Sequence, residues 1–223
     1  MKHSAPLSMI ALCLLAACPL SALCSEATVA GGTFDRGLLL AVDRDAGTIS
    51  GYLHDGTCRL AFSGRLSPVE LYQRSDAGEA YAVDTWVPDQ PARRFQTEVY
   101  SIAKGGFAQQ ITLEPSRDGV PGACPDRMSL DRRDNVSSSY VGVRVLKQSR
   151  APLYQVKQRS HGLEMVRDTS VRPPKADVGV WVNKSYRSAE LTRGYVYIAW
   201  YEADGTPRAG YVREASLYPL PAG

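Results

Sequence analysis

The chain has 223 residues, with 26 Lys and Arg against 23 Asp and Glu, a formal net charge of +3. So near-neutral a balance gives no electrostatic case for nucleic-acid binding. Its 44% hydrophobic content is enough for a sizeable core, and the length allows one large or two small domains.

The N-terminus opens on Lys2 and His3 and runs into an apolar stretch from Leu7 to Ala17. That is the layout of an export signal, too short to span a bilayer as a permanent helix. Two processing routes are open. Leu15-Ala16-Ala17-Cys18 matches a lipoprotein box, in which Cys18 is lipidated, whereas the region after Pro19 offers ordinary cleavage at Cys24 or Ala27. Taking residues 1–24 as the signal removes Lys2 and no acid, leaving 25 basic and 23 acidic residues, a net of +2.

Of five cysteines, Cys13, Cys18 and Cys24 lie in this signal. Cys58 and Cys124 remain, an even pair in an exported chain, and are expected to form a disulfide. Metal-binding or redox thiols are the weaker reading, because no CxxC and no neighbouring His accompany them.

From Gly37 onward, short alternating runs are bounded by turn residues, as strands are. "GLLLAVD" and "TISGYL" flank Asp45-Ala46-Gly47 and read as a hairpin. "CRLAFSGRL" follows after His54-Asp55-Gly56, then "AYAVDTWV". "FQTEVYSI" and "FAQQITLEP" flank Lys104-Gly105-Gly106, a second hairpin. The pattern predicts an antiparallel meander of roughly six strands, as a small barrel or sandwich over residues 28–135. Pro115 to Ser139 is rich in Pro, Gly, Asp and Ser and reads as loop and linker, with a boundary near 135–140. A second β unit over 140–223 begins at "YVGVRV". Residues 158–176 read as a long irregular arm, and the expected fold class is all-β throughout.

In "YVYIAWY", alternation puts Val196, Ile198 and Trp200 on one face as a buried row. Tyr195, Tyr197 and Tyr201 share the other face with Ala199. Asp204-Gly205 supplies the turn and "AGYVREASL" the return strand carrying Tyr211. Together with Tyr186, these tyrosines are the candidate binding residues, since Tyr offers rigid apolar area with a polar tip. The alternative is that the rings pack beneath the arm or against the first half.

"GYVYIAWYEADGTPRAGYVREASLYPL", preceded by "VGVWVNKSYRS", resembles the end of a bacterial SH3-like domain. "LLLAVDRDAGTISGYLHDGTC", with the later Cys124, is similar to the small β domain ahead of such modules in uncharacterised exported proteins. The resemblance implies an SH3-like barrel over 140–223 and a binding role in the envelope. The arm from Gln158 to Asp177 departs from the compact start of such barrels, so the family's ligand groove is not carried over.

Catalytic chemistry is not legible. His54 and His161 stand in different halves without ligand spacing, and there is no GxSxG elbow or phosphate loop. Asn135-Val136-Ser137 and Asn183-Lys184-Ser185 match glycosylation acceptors, expected to be idle behind a bacterial signal. The expectation is a periplasmic, non-enzymatic binding protein without cofactor or metal. Its partner is a protein, with the chain acting as an inhibitor or immunity protein against an envelope-acting hydrolase or toxin. Peptidoglycan recognition is the alternative.

Overall fold

Alternating side chains carry the first half of the chain into eight antiparallel strands that close on themselves. The computed structural model describes residues 28–68, 77–104, 108–147, 149–184 and 189–220. The expected export signal, Cys18, the expected turn at Gly105-Gly106 and Tyr186 lie outside these. The strands are β1 (Gly32–Phe34), β2 (Leu39–Asp43), β3 (Thr48–Asp55), β4 (Cys58–Arg65), β5 (Ala77–Val87), β6 (Gln90–Lys104), β7 (Ala108–Pro115) and β8 (Met128–Asn135). Each pairs with the next, and β8 returns to β1 to close the barrel.

Eight strands leave an interior just wide enough for side chains to fill. Ile49, Leu53, Leu60, Phe62, Val99 and Ile111 all point inward, each 0 or 1% exposed. The interior is therefore a core and not a ligand chamber. An inward hydroxyl pair is matched, Thr85 Oγ1 lying 2.7 Å from Thr97 Oγ1. Gly51 faces Phe62 across β3 and β4. A Cβ at Gly51 would sit 2.2 Å from Phe62 Cζ, so the missing side chain is what makes room for the ring. The β2–β3 turn is held by Asp43 Oδ1, which accepts the N–H groups of Asp45 and Ala46. Gly47, at φ 65°, completes it.

The Cys58–Cys124 disulfide is formed, with the Cα atoms 4.8 Å apart. It ties the connection between β7 and β8 to the start of β4. The expected loop from Pro115 to Ser139 needs correction. Residues 128–135 form β8, in which Met128 and Leu130 enter the core and the remaining positions are polar. So few apolar positions hide a strand whose partners, β7 and β1, both require a neighbouring backbone.

The second unit comprises β9 (Tyr140–Val145), β10 (Leu153–Arg159), β11 (Gly162–Asp168), β12 (Gly179–Asn183), β13 (Tyr195–Tyr201) and β14 (Pro207–Arg213). They form a six-stranded antiparallel sheet in the order β11-β10-β14-β13-β12-β9. The arm expected over 158–176 also needs correction. Its first part is the β10–β11 hairpin, in register from Leu153↔Asp168 to Arg159↔Gly162, and only residues after Asp168 are irregular. "SHGLEMVRD" lacks clean alternation because most of this hairpin stands in solvent.

One face of the sheet buries Leu153, Val180, Ile198, Trp200 and Val212, with Val196 packed alongside. The predicted Val196, Ile198 and Trp200 row is therefore core. On the other face, Val143, Val145, Trp181 and Ala199 meet Ala41, Tyr52, Ala61 and Trp86 from the outside of the barrel. The two units thus share a third core. Gly179 permits the approach, since a Cβ there would lie 2.6 Å from the Tyr52 ring. The Tyr52 hydroxyl donates to the Asp177 carbonyl at 2.7 Å. The backbone N–H of Val143, on the outer edge of β9, donates to Ser50 Oγ at 2.9 Å. Barrel side chains thereby cover an edge that would otherwise present unpaired backbone groups.

Candidate functional site

The register Val196↔Val212 and Tyr197↔Tyr211 fixes which residues share a face. Val212 lies in the sheet's own core, so Tyr195, Tyr197 and Tyr211 lie on the opposite side. Near β9 and β12 that side is covered by the barrel. Beyond Ala199 it leaves the barrel and runs across β13, β14, β10 and β11.

The register Tyr154↔Tyr211 and Tyr154↔Arg167 brings further residues onto this face. They are Tyr154 and Val156 from β10 and Leu163, Met165 and Arg167 from β11. The Tyr154 and Tyr195 rings meet edge to face at 5.0 Å, and those of Tyr197 and Tyr211 lie 4.7 Å apart. The Arg213 guanidinium sits 5.7 Å from the Tyr195 ring and 5.9 Å from the Tyr154 ring. Such pairing fixes ring orientation without removing the face from water. A groove of about 520 Å³ runs between Tyr154, Val156, Tyr197 and Tyr211, with Asp168 and Lys184 also lining it.

The candidate tyrosines do not form one set. Tyr195 and Tyr197 are half-buried and belong to the face. Tyr211 is 7% exposed and supports Tyr197 from within the sheet. Tyr201 is 55% exposed but stands at the far end of β13, beside Pro173 and Lys175 of the arm. The nearby Tyr140 phenol is pushed up by burial and, after that, by Tyr201. Tyr140 itself stacks on Trp181 at 5.3 Å. Sequence reasoning missed Tyr154 and the 48% exposed Leu163. "APLYQV" carries a strand pattern, yet only the β10–β14 register aligns Tyr154 with Tyr211. Leu163 falls within residues 158–176, whose pattern predicts an irregular arm.

Cys58 is bonded to Cys124, so its sulfur is not a thiolate. His54 lies near Tyr52, with ring centroids 6.0 Å apart, and His161 occupies the β10–β11 turn. Among the described residues, no group of three His, Cys, Asp or Glu side chains is placed to hold a metal ion.

No family model, curated protein or solved structure matches this chain. The tyrosine face therefore carries the functional reading by itself.

Proposed function

We propose that the chain is an exported, periplasmic binding protein. Its tyrosine face docks a protein partner, and the SH3-like resemblance of residues 140–223 marks the docking module. One observation carries the reading. Tyr154 pairs with Tyr195 and Tyr197 with Tyr211 on a sheet face that the barrel leaves uncovered, and the same face carries the 48% exposed Leu163 four residues along β11 from Arg167, the partner of Tyr154. Aromatic rings already fixed by their neighbours lose little side-chain freedom on binding, which favours them as interface anchors. A rigid, disulfide-tied β scaffold suits an inhibitor or immunity protein, which must present one surface to an envelope hydrolase or toxin.

The test uses the full mature chain and the Tyr195→Ala/Tyr197→Ala variant. The wild type is expected to co-purify with an exported hydrolase or toxin from envelope extract and to reduce its activity. The variant should remain folded by circular dichroism and lose both. Retained inhibition by the folded variant rules out this face. Peptidoglycan recognition through the same face is the competing reading, and retention of the protein on purified sacculi, lost in the variant, would decide for it.

A further inference from the structure

A second concave site lies away from the tyrosine row, where the irregular arm after β11 folds back over the start of β10. This groove encloses about 750 Å³, within the range of small-molecule sites. Four cations line it: Arg150, Arg167, Arg172 and Lys175. None of the four enters an ion pair or a side-chain hydrogen bond among the described residues. Elsewhere Arg36, Arg44, Arg59, Arg159 and Arg208 each face a carboxylate. The single acid lining the groove is Asp168, whose Oδ1 accepts both the N–H and the hydroxyl of Ser170. Four cations against one carboxylate give the groove a formal charge of +3, whereas the chain without residues 1–24 has 25 basic and 23 acidic residues, a net of +2. The rest of that chain is therefore at 2 − 3 = −1, and its excess positive charge is concentrated in this groove.

The backbone supplies a second, independent observation. Arg150 has φ 76°, in the left-handed region that favours glycine. A turn at Ser149–Arg150 is built most easily from Gly or Asn. An arginine held there gives up backbone ease and lines the groove. Between the cations, Leu153, Val171, Pro173 and Pro174 provide apolar wall.

We infer that this groove binds a small polyanion: a molecule carrying two or more phosphate or carboxylate groups on a neutral or apolar body. Guanidinium forks match both kinds of oxyanion in paired hydrogen bonds, and the apolar wall receives the body between them. Binding weakens as salt rises, since the cations stand near the surface.

The test is calorimetric titration of the full mature protein with inorganic pyrophosphate and, separately, citrate. Saturable binding of either supports the site, and the tighter of the two identifies phosphate or carboxylate as the recognised group. Arg150→Gly is the informative variant, because it relaxes the backbone while removing the charge. Its affinity should fall roughly tenfold, the loss of one charge-assisted contact, with a melting temperature unchanged or raised. Arg167→Gln should weaken binding similarly, while Arg208→Gln, an equal charge change outside the groove, should leave it as it was. The inference is overturned if neither anion saturates, if Arg150→Gly binds as tightly as the wild type, or if Arg208→Gln weakens binding equally. Arg167 belongs to the tyrosine face as well, so the Arg150→Gly result, at a residue off that face, is the one that separates this site from docking there.

Discussion

Replacing Tyr52 by Phe tests the junction between barrel and sheet with a single oxygen. The ring is 2% exposed and stays in the shared core, so packing is retained. What is lost is the 2.7 Å hydrogen bond to the Asp177 carbonyl, at a residue held at φ 56°. An ordinary hydrogen bond contributes about 1 kcal/mol, and leaving the carbonyl unpaired in a partly buried site raises the cost, to at most about 3 kcal/mol. The pH dependence makes the prediction specific. Burial pushes the Tyr52 phenol from 10.0 up to about 12, against the opposing pull of Arg59. A folded-state value above the unfolded one favours the neutral phenol. The resulting stability is complete below pH 10 and is lost as pH rises through about 12. Two units correspond to at most about 2.7 kcal/mol. Phe has no such contribution. The wild type should therefore exceed the variant by about 1–3 kcal/mol at pH 7, and the gap should close between pH 10 and 12. Urea titrations at several pH values check this, followed by tryptophan fluorescence, with Trp86 and Trp181 in the shared core, and by circular dichroism. The two probes should coincide if the units unfold together. A gap that does not change with pH, or one below about 0.5 kcal/mol at pH 7, would refute the assigned role of the hydroxyl.

Gly51→Ala forces a methyl group towards Phe62 Cζ, 2.2 Å from the ideal Cβ position, inside a filled barrel. A loss of about 1–3 kcal/mol is expected in the same urea assay. Cys58→Ser/Cys124→Ser opens a loop with a sequence separation of 66. In the chain-entropy model this removes about 4 kcal/mol, visible as a lower melting temperature that added reductant does not lower further.

The sequence disclosed strands whose apolar residues alternate. β2 to β7 and β13 with its return strand β14 could be read that way, because each has one face in a core. The first and last strands of the barrel could not. β1 is three residues long, and β8 commits only Met128 and Leu130 to the interior before becoming a run of charged residues. Those are the strands whose pairing closes the barrel, so alternation supported a small barrel or sandwich of roughly six strands and not the eight-strand closure. The shared core was hidden for a related reason. Ala41, Tyr52, Ala61 and Trp86 occupy the outward phase of strands whose inward phase is also apolar, and alternation cannot assign both faces. The tyrosine face was legible along β13. Its extension to Tyr154 depends on a strand neighbour 57 positions away, Tyr211, and Leu163 follows on the next strand beyond β10. The cationic groove had no signature, because its four charges are scattered from Arg150 to Lys175 and converge only when the arm folds back.

The hydrogen bond from Val143 to Ser50 gives the second sheet a direction. Its β9 end is stoppered by the barrel, and its β11 end has no strand beyond it among the described residues. A molecule with one open edge pairs edge to edge only once. Two copies joined through β11 would present a sealed β9 at each outer margin, so growth would halt at a twofold dimer and could not propagate as a fibre. The contact that docks barrel to sheet is thus also a chain terminator for assembly.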